Sequence, residues 1–266
     1  MTMKKLFACL GVFAVFAACT NSAGSPGKDG AGAAAGAGGG GVSGSGSDLY
    51  YLYTITGGSE KMAMNGTMKL FLAASGKVRM EMLMGIDTNG AAVKDRSPII
   101  VLGNSDNPTL TYYVDDVKKT YSKNHIDTTS DNGSGMKTES TVTRVGDESI
   151  LGFHAVHARI LSTHSIGSLY KAMDTIDLWK SNDIPMQPAF RKWMERYEAK
   201  ANSALYSPEV SKQLTQMGCE GLFVKMVMHG KESKTFMVLT KVEKKDLPGS
   251  LFEIPAGYTE DKSAEN

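Results

Sequence analysis

MAMNGTMKLFLAASGKVRMEMLM, residues 62–84, carries the alternation on which the reading of the whole chain depends. Met62, Met64, Met68, Leu70 and Leu72 share one phase, and after a turn at Ala74-Ser75-Gly76 so do Val78, Met80, Met82 and Met84. A period of two is what a strand with one buried face shows, because successive side chains point to opposite sides. Arg79 and Glu81 take the opposite phase, which is therefore the wetter one. Asn65-Gly66 interrupts the first run and predicts a bulge or kink there.

The pattern extends in both directions. LYYLYTIT at 49–56 has the aromatic and β-branched residues that suit a pleated surface. Further strands are expected at 97–103, 109–115, 117–122, 139–147, 150–161, 174–181, 222–229 and 234–243, about eleven in all. Short breaks rich in Gly, Asn, Asp and Ser favour antiparallel hairpins over crossovers. Two helices interrupt the strands. Over 188–201, Phe190, Trp193, Met194, Tyr197 and Ala201 form one apolar stripe behind Pro188. The second helix starts at Ser207 and Pro208, stops at Gly218 and buries Val210, Leu214 and Met217. Residues 123–138 read as a polar loop, and 259–266 as a disordered, solvated tail.

The N-terminal end follows different rules. Lys4 and Lys5 precede an almost uniformly apolar run from Leu6 to Ala18 that is too short to span a bilayer as a helix. Phe16-Ala17-Ala18-Cys19 resembles the bacterial lipoprotein signal, with Phe16 where that pattern usually has Leu. The resemblance implies a signal peptide at 1–18 and a diacylglycerol on Cys19. It implies a cell-envelope location with the membrane reached through this anchor. Thr20, in place of the Asp that holds some lipoproteins at the inner membrane, points to the outer membrane facing the periplasm, with the cell surface as the alternative. Residues 19–48 are the lipidated cysteine and a Gly/Ala/Ser-rich linker whose random-coil reach is roughly 30 Å.

Several familiar signatures fail on context. Gly36 to Gly41 matches G-x-G-x-x-G, but no strand precedes it and no amphipathic helix follows. His154 and His157, three apart on a strand, fall on opposite faces. Asp127 to Gly133 lacks the third-position and twelfth-position ligands of a calcium loop. There is no G-x-S-x-G and no H-E-x-x-H, and Asp147-Glu148 has no second catalytic partner in the sequence. The leader takes Cys9 with it and Cys19 is acylated, so Cys219 is expected as a lone buried thiol that packs. Trp179, with Asp177 and Asp183, reads as a structural junction between strand and lid. A formal charge of +1, which becomes −1 once Lys4 and Lys5 leave, gives no footprint for nucleic acid.

GKVRMEM at 76–82, VGDESILGF at 145–153, DLWKSNDI at 177–184 and SLFEIPAGY at 250–258 resemble, in order and spacing, the envelope lipoproteins of domain-of-unknown-function family 4412. That family is grouped with LolA-like lipoprotein carriers, so the resemblance implies a half-barrel over residues 49–258. The expected fold is mainly β with α: a curved antiparallel sheet of about eleven strands with a helical lid on its concave side. The chain has 16 methionines, and their flexible, polarisable side chains adapt to varied apolar shapes. Met62, Met64, Met68, Met80, Met82, Met84, Met226 and Met228, with Phe190, Trp193 and Tyr197 from the lid, are the groove candidates for a lipid or acyl chain. None of these methionine strands holds a cysteine, which argues against copper(I). The expectation is a monomeric, non-catalytic binder without metal or cofactor. The alternatives are a core merely filled with methionine, and a module whose convex face or 123–138 loop binds another envelope protein.

Overall fold

The alternation read over 62–84 becomes an in-register ladder. In the computed structural model, which describes residues 42–59, 62–88, 97–125, 136–166, 170–191, 194, 207–230 and 232–262, Leu72 faces Val78, Leu70 faces Met80 and Met68 faces Met82. The strands are β1 (Asp48–Ser59), β2 (Met62–Leu72), β3 (Lys77–Thr88), β4 (Ile99–Asn104), β5 (Asn107–Asp115) and β6 (Thr120–His125). They continue as β7 (Met136–Ile150), β8 (Phe153–Ile166), β9 (Tyr170–Ser181), β10 (Leu222–His229), β11 (Lys234–Lys245) and β12 (Thr259–Glu260). All twelve form one sheet in the order β12-β6-β5-β4-β3-β2-β1-β11-β10-β9-β8-β7. Every pairing is antiparallel except β12 with β6.

This order forces curvature. β6 and β7 are consecutive in the chain, yet nine strands lie between them in the sheet. In a flat sheet their axes would stand about 48 Å apart at the usual strand spacing. The chain from His125 to Met136 spans at most about 40 Å fully extended. The sheet must therefore curl toward itself, and it is an open half-barrel.

One face is lined by Leu49, Tyr51, Tyr53 and Ile55 of β1, flanked by Leu72, Leu70 and Met68 on β2 and by Val242, Leu239 and Met237 on β11. Residues of the segment between β9 and β10 complete this core: Ile184, Phe190, Val210, Leu214 and Cys219 are buried in the same cluster. Tyr51 Oη donates to the Pro185 carbonyl, fixing that segment over the sheet. Residues 188–191 and 194 are helical, while Trp193 and Tyr197 lie outside the described residues. The second helix, α1 (Pro208–Gln216), has the expected ends: the Ser207 side chain accepts from the Val210 N–H, and Gly218 takes φ +72°. Gln213 Oε1 accepts the Val142 N–H at 3.0 Å, so α1 satisfies one donor on the edge strand β7.

The other face of β1–β6 is covered by the C-terminal segment. Phe252 packs with Phe71 and Ala73, and Ile254 and Tyr258 pack on Ile100, Leu102 and Val114. Residues 259–262 are therefore part of the domain, not a tail: β12 pairs with β6, and the Asp261 N–H donates to the Tyr121 carbonyl. At the other end, residues 42–47, read as linker, reach the sheet as well. Ser43 exchanges backbone hydrogen bonds with Val242 and Lys244. A Cβ on Gly44 would stand 2.2 Å from the Lys244 carbonyl oxygen, which explains a glycine there.

Two local expectations change. Asn65-Gly66 holds no bulge, because the β1–β2 and β2–β3 registers run through it unbroken. Gly66 is required for space: a Cβ would lie 2.5 Å from the Leu83 carbonyl oxygen and 2.7 Å from Met84 Sδ. The register shifts fall instead at Leu52/Tyr53, Gly103/Asn104, Arg144/Gly146 and Phe223/Lys225. The 123–138 loop is shorter than read, since β6 extends to 125 and β7 begins at 136.

Two glycines after α1 separate backbone strain from crowding. Gly218 and Gly221 both have positive φ, but a Cβ on Gly218 meets nothing while one on Gly221 would lie 2.1 Å from the Ser181 carbonyl oxygen. Gly218→Ala is expected to cost about 1 kcal/mol, the left-handed penalty alone. Gly221→Ala should cost roughly twice that or more, measured by urea unfolding. Equal losses would mean that the β9–β10 junction yields freely.

Candidate functional site

Strand register assembles the methionines into one band on the concave face. Met68 and Met82 are cross-strand partners, as are Met226 and Met237. All four are buried with at most 2 % exposure. Toward one end of the strands burial falls: Met64, Met84 and Met228 are half-buried and pack against the edge of the core. There Met64 on β2 faces Gly57 on β1, Gly57 faces Thr235 on β11, and Thr235 faces Met228 on β10. Two methionine walls thus stand three strand spacings apart, about 14 Å, over a floor of one glycine and one threonine. Ile176 and Ile160 continue the apolar row beyond Met228. Of the remaining candidates, Phe190 is buried, Met80 is half-buried against the core, and Met62 holds its place on β2 opposite Thr88. Met237 was missed from the groove set although it shares the phase of Leu239.

A second cluster, on the convex face, was not foreseen. Asp177 on β9 accepts from Arg159 Nε at 2.8 Å and Nη2 at 3.1 Å. His157 Nε2 lies 3.2 Å from Oδ1, and His229 Nε2 lies 2.8 Å from Oδ2. The three partners come from β8 and β10, so one carboxylate pins three strands together. His157 also stacks on Trp179 at 3.8 Å, and Lys225 Nζ sits 4.0 Å above the same indole. Trp179 Nε1 is buried without a partner among the described residues. Trp179 and Asp177 therefore stabilise the sheet itself, while Asp183 makes the junction by accepting the His154 N–H.

Burial alone would raise the Asp177 carboxyl, but hydrogen bonds from Arg159, His229 and His157 outweigh it and hold it at about 2, below the ordinary 3.8. A carboxyl whose folded value is depressed stabilises the fold fully above about pH 4 and loses that contribution as the pH falls toward 2. The stability gap between wild type and Asp177→Asn should therefore narrow as the pH falls from about 4 toward 2. A gap unchanged at low pH would mean that the carboxylate is not held by these donors.

The other titratable candidates have structural partners. Cys219 is buried and its Sγ–H donates to the Val156 carbonyl at 3.4 Å, and burial pushes its thiol up. Asp147 is held by Arg144 Nη2 at 2.6 and 2.8 Å. Among the described residues no group of three or more His, Cys, Asp or Glu could hold a metal ion, and no helix is long and apolar enough to cross a membrane. Cys19, residues 36–41 and residues 127–133 lie outside the described residues.

Sheet order, curvature and a covered concave face define the class: an open antiparallel half-barrel with a helical element on its inner side. The chain belongs to the family described as "Domain of unknown function (DUF4412)", which matches residues 56–258. Among solved structures, the Mycobacterium tuberculosis lipoprotein LppX is 10 % identical, with 74 % of this chain and 88 % of that chain covered, at a TM-score of 0.30. LprF from Mycobacterium bovis is 11 % identical, with 79 % and 89 % covered, at 0.31. A LolA superfamily protein from Nitrosomonas europaea is 8 % identical, with 77 % and 90 % covered, also at 0.31. These superpositions are too loose to carry an argument about ligand or activity. No curated protein matches the sequence significantly.

Proposed function

We propose that this is a bacterial envelope lipoprotein, anchored through Cys19 at the outer membrane, whose half-barrel binds an acyl chain without catalysing a reaction. The observation that carries the reading is the rim of the concave face, where Met64, Met84 and Met228 rise out of the core only half-buried. Flexible apolar side chains left half-open at the rim can follow a chain laid along them. A permanent anchor suits a protein that receives or holds lipid better than one that ferries it.

The competing reading, a methionine-filled core with no ligand, is favoured by the complete burial of Met68, Met82, Met226 and Met237. It does not account for the half-burial of Met64, Met84 and Met228 at the rim. Native mass spectrometry of protein extracted from its own membrane separates the two. A non-covalent adduct with the mass of a lipid, lost on Met64→Asp with Met228→Asp, is expected; bare protein under conditions that preserve the fold supports the filled core.

A further inference from the structure

The apolar rim ends in a set of polar side chains on the same concave face. One step along the strands from Val142, Ile160 and Ile176 come Ser140, Ser162 and Asp174, which are cross-strand partners. One step further, Thr138 faces His164. Successive steps on one face are about 6.6 Å apart, so this set stands directly beside the apolar row. The Ser140 and Ser162 hydroxyls are 2.8 Å apart, and Ser162 is only 1 % exposed. Thr138 Oγ1 lies 3.0 Å from His164 Nδ1, and His164 Nε2 lies 3.1 Å from Asp174 Oδ2. The His164 side chain is 16 % exposed and that of Asp174 52 %, so the relay runs from a nearly enclosed imidazole to an open carboxylate.

Building on the acyl-chain reading, we propose that Asp174, His164 and Thr138 bind the polar head of that lipid and select a head that donates hydrogen bonds: a glycosyl or an amine group. Asp174 spends Oδ2 on His164, and Oδ1 has no partner among the described residues. With Nδ1 accepting from Thr138, His164 donates through Nε2 to Asp174 and so fixes the carboxylate. Among the described residues no lysine or arginine stands in this set, so a phosphate or sulfate head would meet the Asp174 charge uncompensated. A hydroxyl or ammonium group would instead donate to the free oxygen, a bond strengthened by the charge on the acceptor.

Isothermal titration of the purified full chain with decyl maltoside, decylammonium and decyl phosphate, each below its micelle concentration, tests both levels. Decyl maltoside or decylammonium should bind at least about tenfold tighter than decyl phosphate. Whichever leads identifies the head as glycosyl or amine. Asp174→Asn keeps the shape and His164 contact of a half-exposed residue and should erase the preference, while Met64→Asp with Met228→Asp should weaken all three alike. Equal binding of the three probes, or a preference that survives Asp174→Asn, overturns the head assignment and leaves the acyl groove standing. Binding by none of them overturns the groove and the head assignment with it.

Discussion

Replacing Asp177 with alanine is expected to lower the unfolding free energy by about 3 kcal/mol, the low end for removing one partner of a buried charged network. The low end applies because Arg159 is half exposed and can turn to water once its carboxylate is gone. His157 has no such freedom, being almost enclosed and stacked on Trp179. Asp177→Asn retains an acceptor and the side-chain volume and should cost about half as much. For a domain of this size the alanine variant should melt about 10 °C lower, measured by circular dichroism. A loss within a few tenths of a kcal/mol would show that β8, β9 and β10 hold together without the pin.

Phe252→Ala should be nearly as damaging, at about 3 kcal/mol. Phe252 is 8 % exposed and fills a convex-face pocket made by Phe71 and Ala73 under the chain that returns to pair with β6. Its loss frees that return. Beyond it, Tyr258 is held by its hydroxyl donating to Asp116 at 2.7 Å and accepting from Lys119 at 2.9 Å. Amide protection of β6 should therefore fall along with global stability. Loss of stability with β6 protection intact would mean that Ile254 and Tyr258 hold the strap unaided.

The parts of the fold legible in the sequence are those where one face is dry and the other wet. Leu49, Tyr51, Tyr53 and Ile55 announce β1, and the methionines of β2 and β3 announce their shared face, because local alternation records which side each residue turns. α1 was legible for another local reason, the Ser207-Pro208 start and Gly218 stop. What escaped depends on distant pairing. Thr259 and Glu260 have no alternation to show, and it is pairing with the distant β6 that makes them a strand. His157, Asp177 and His229 look scattered along the chain and meet only because the β8–β9–β10 register lines them up. The same holds for Thr138, His164 and Asp174. Gly66 shows how a correct signal can carry the wrong reason: the glycine is needed, but for the space over which Met84 lies.

On the proposed function, the concave methionine band opens to an acyl chain at the Met64–Met228 rim. Carbon-13 NMR of methionine methyl groups, recorded on the full chain during titration with monomeric decyl maltoside, tests it most directly. The Met64, Met84 and Met228 methyls should shift saturably and together, while those of the enclosed Met68 and Met237 stay nearly fixed. Spectra in which no methionine methyl responds saturably, from a chain that remains folded, would contradict it.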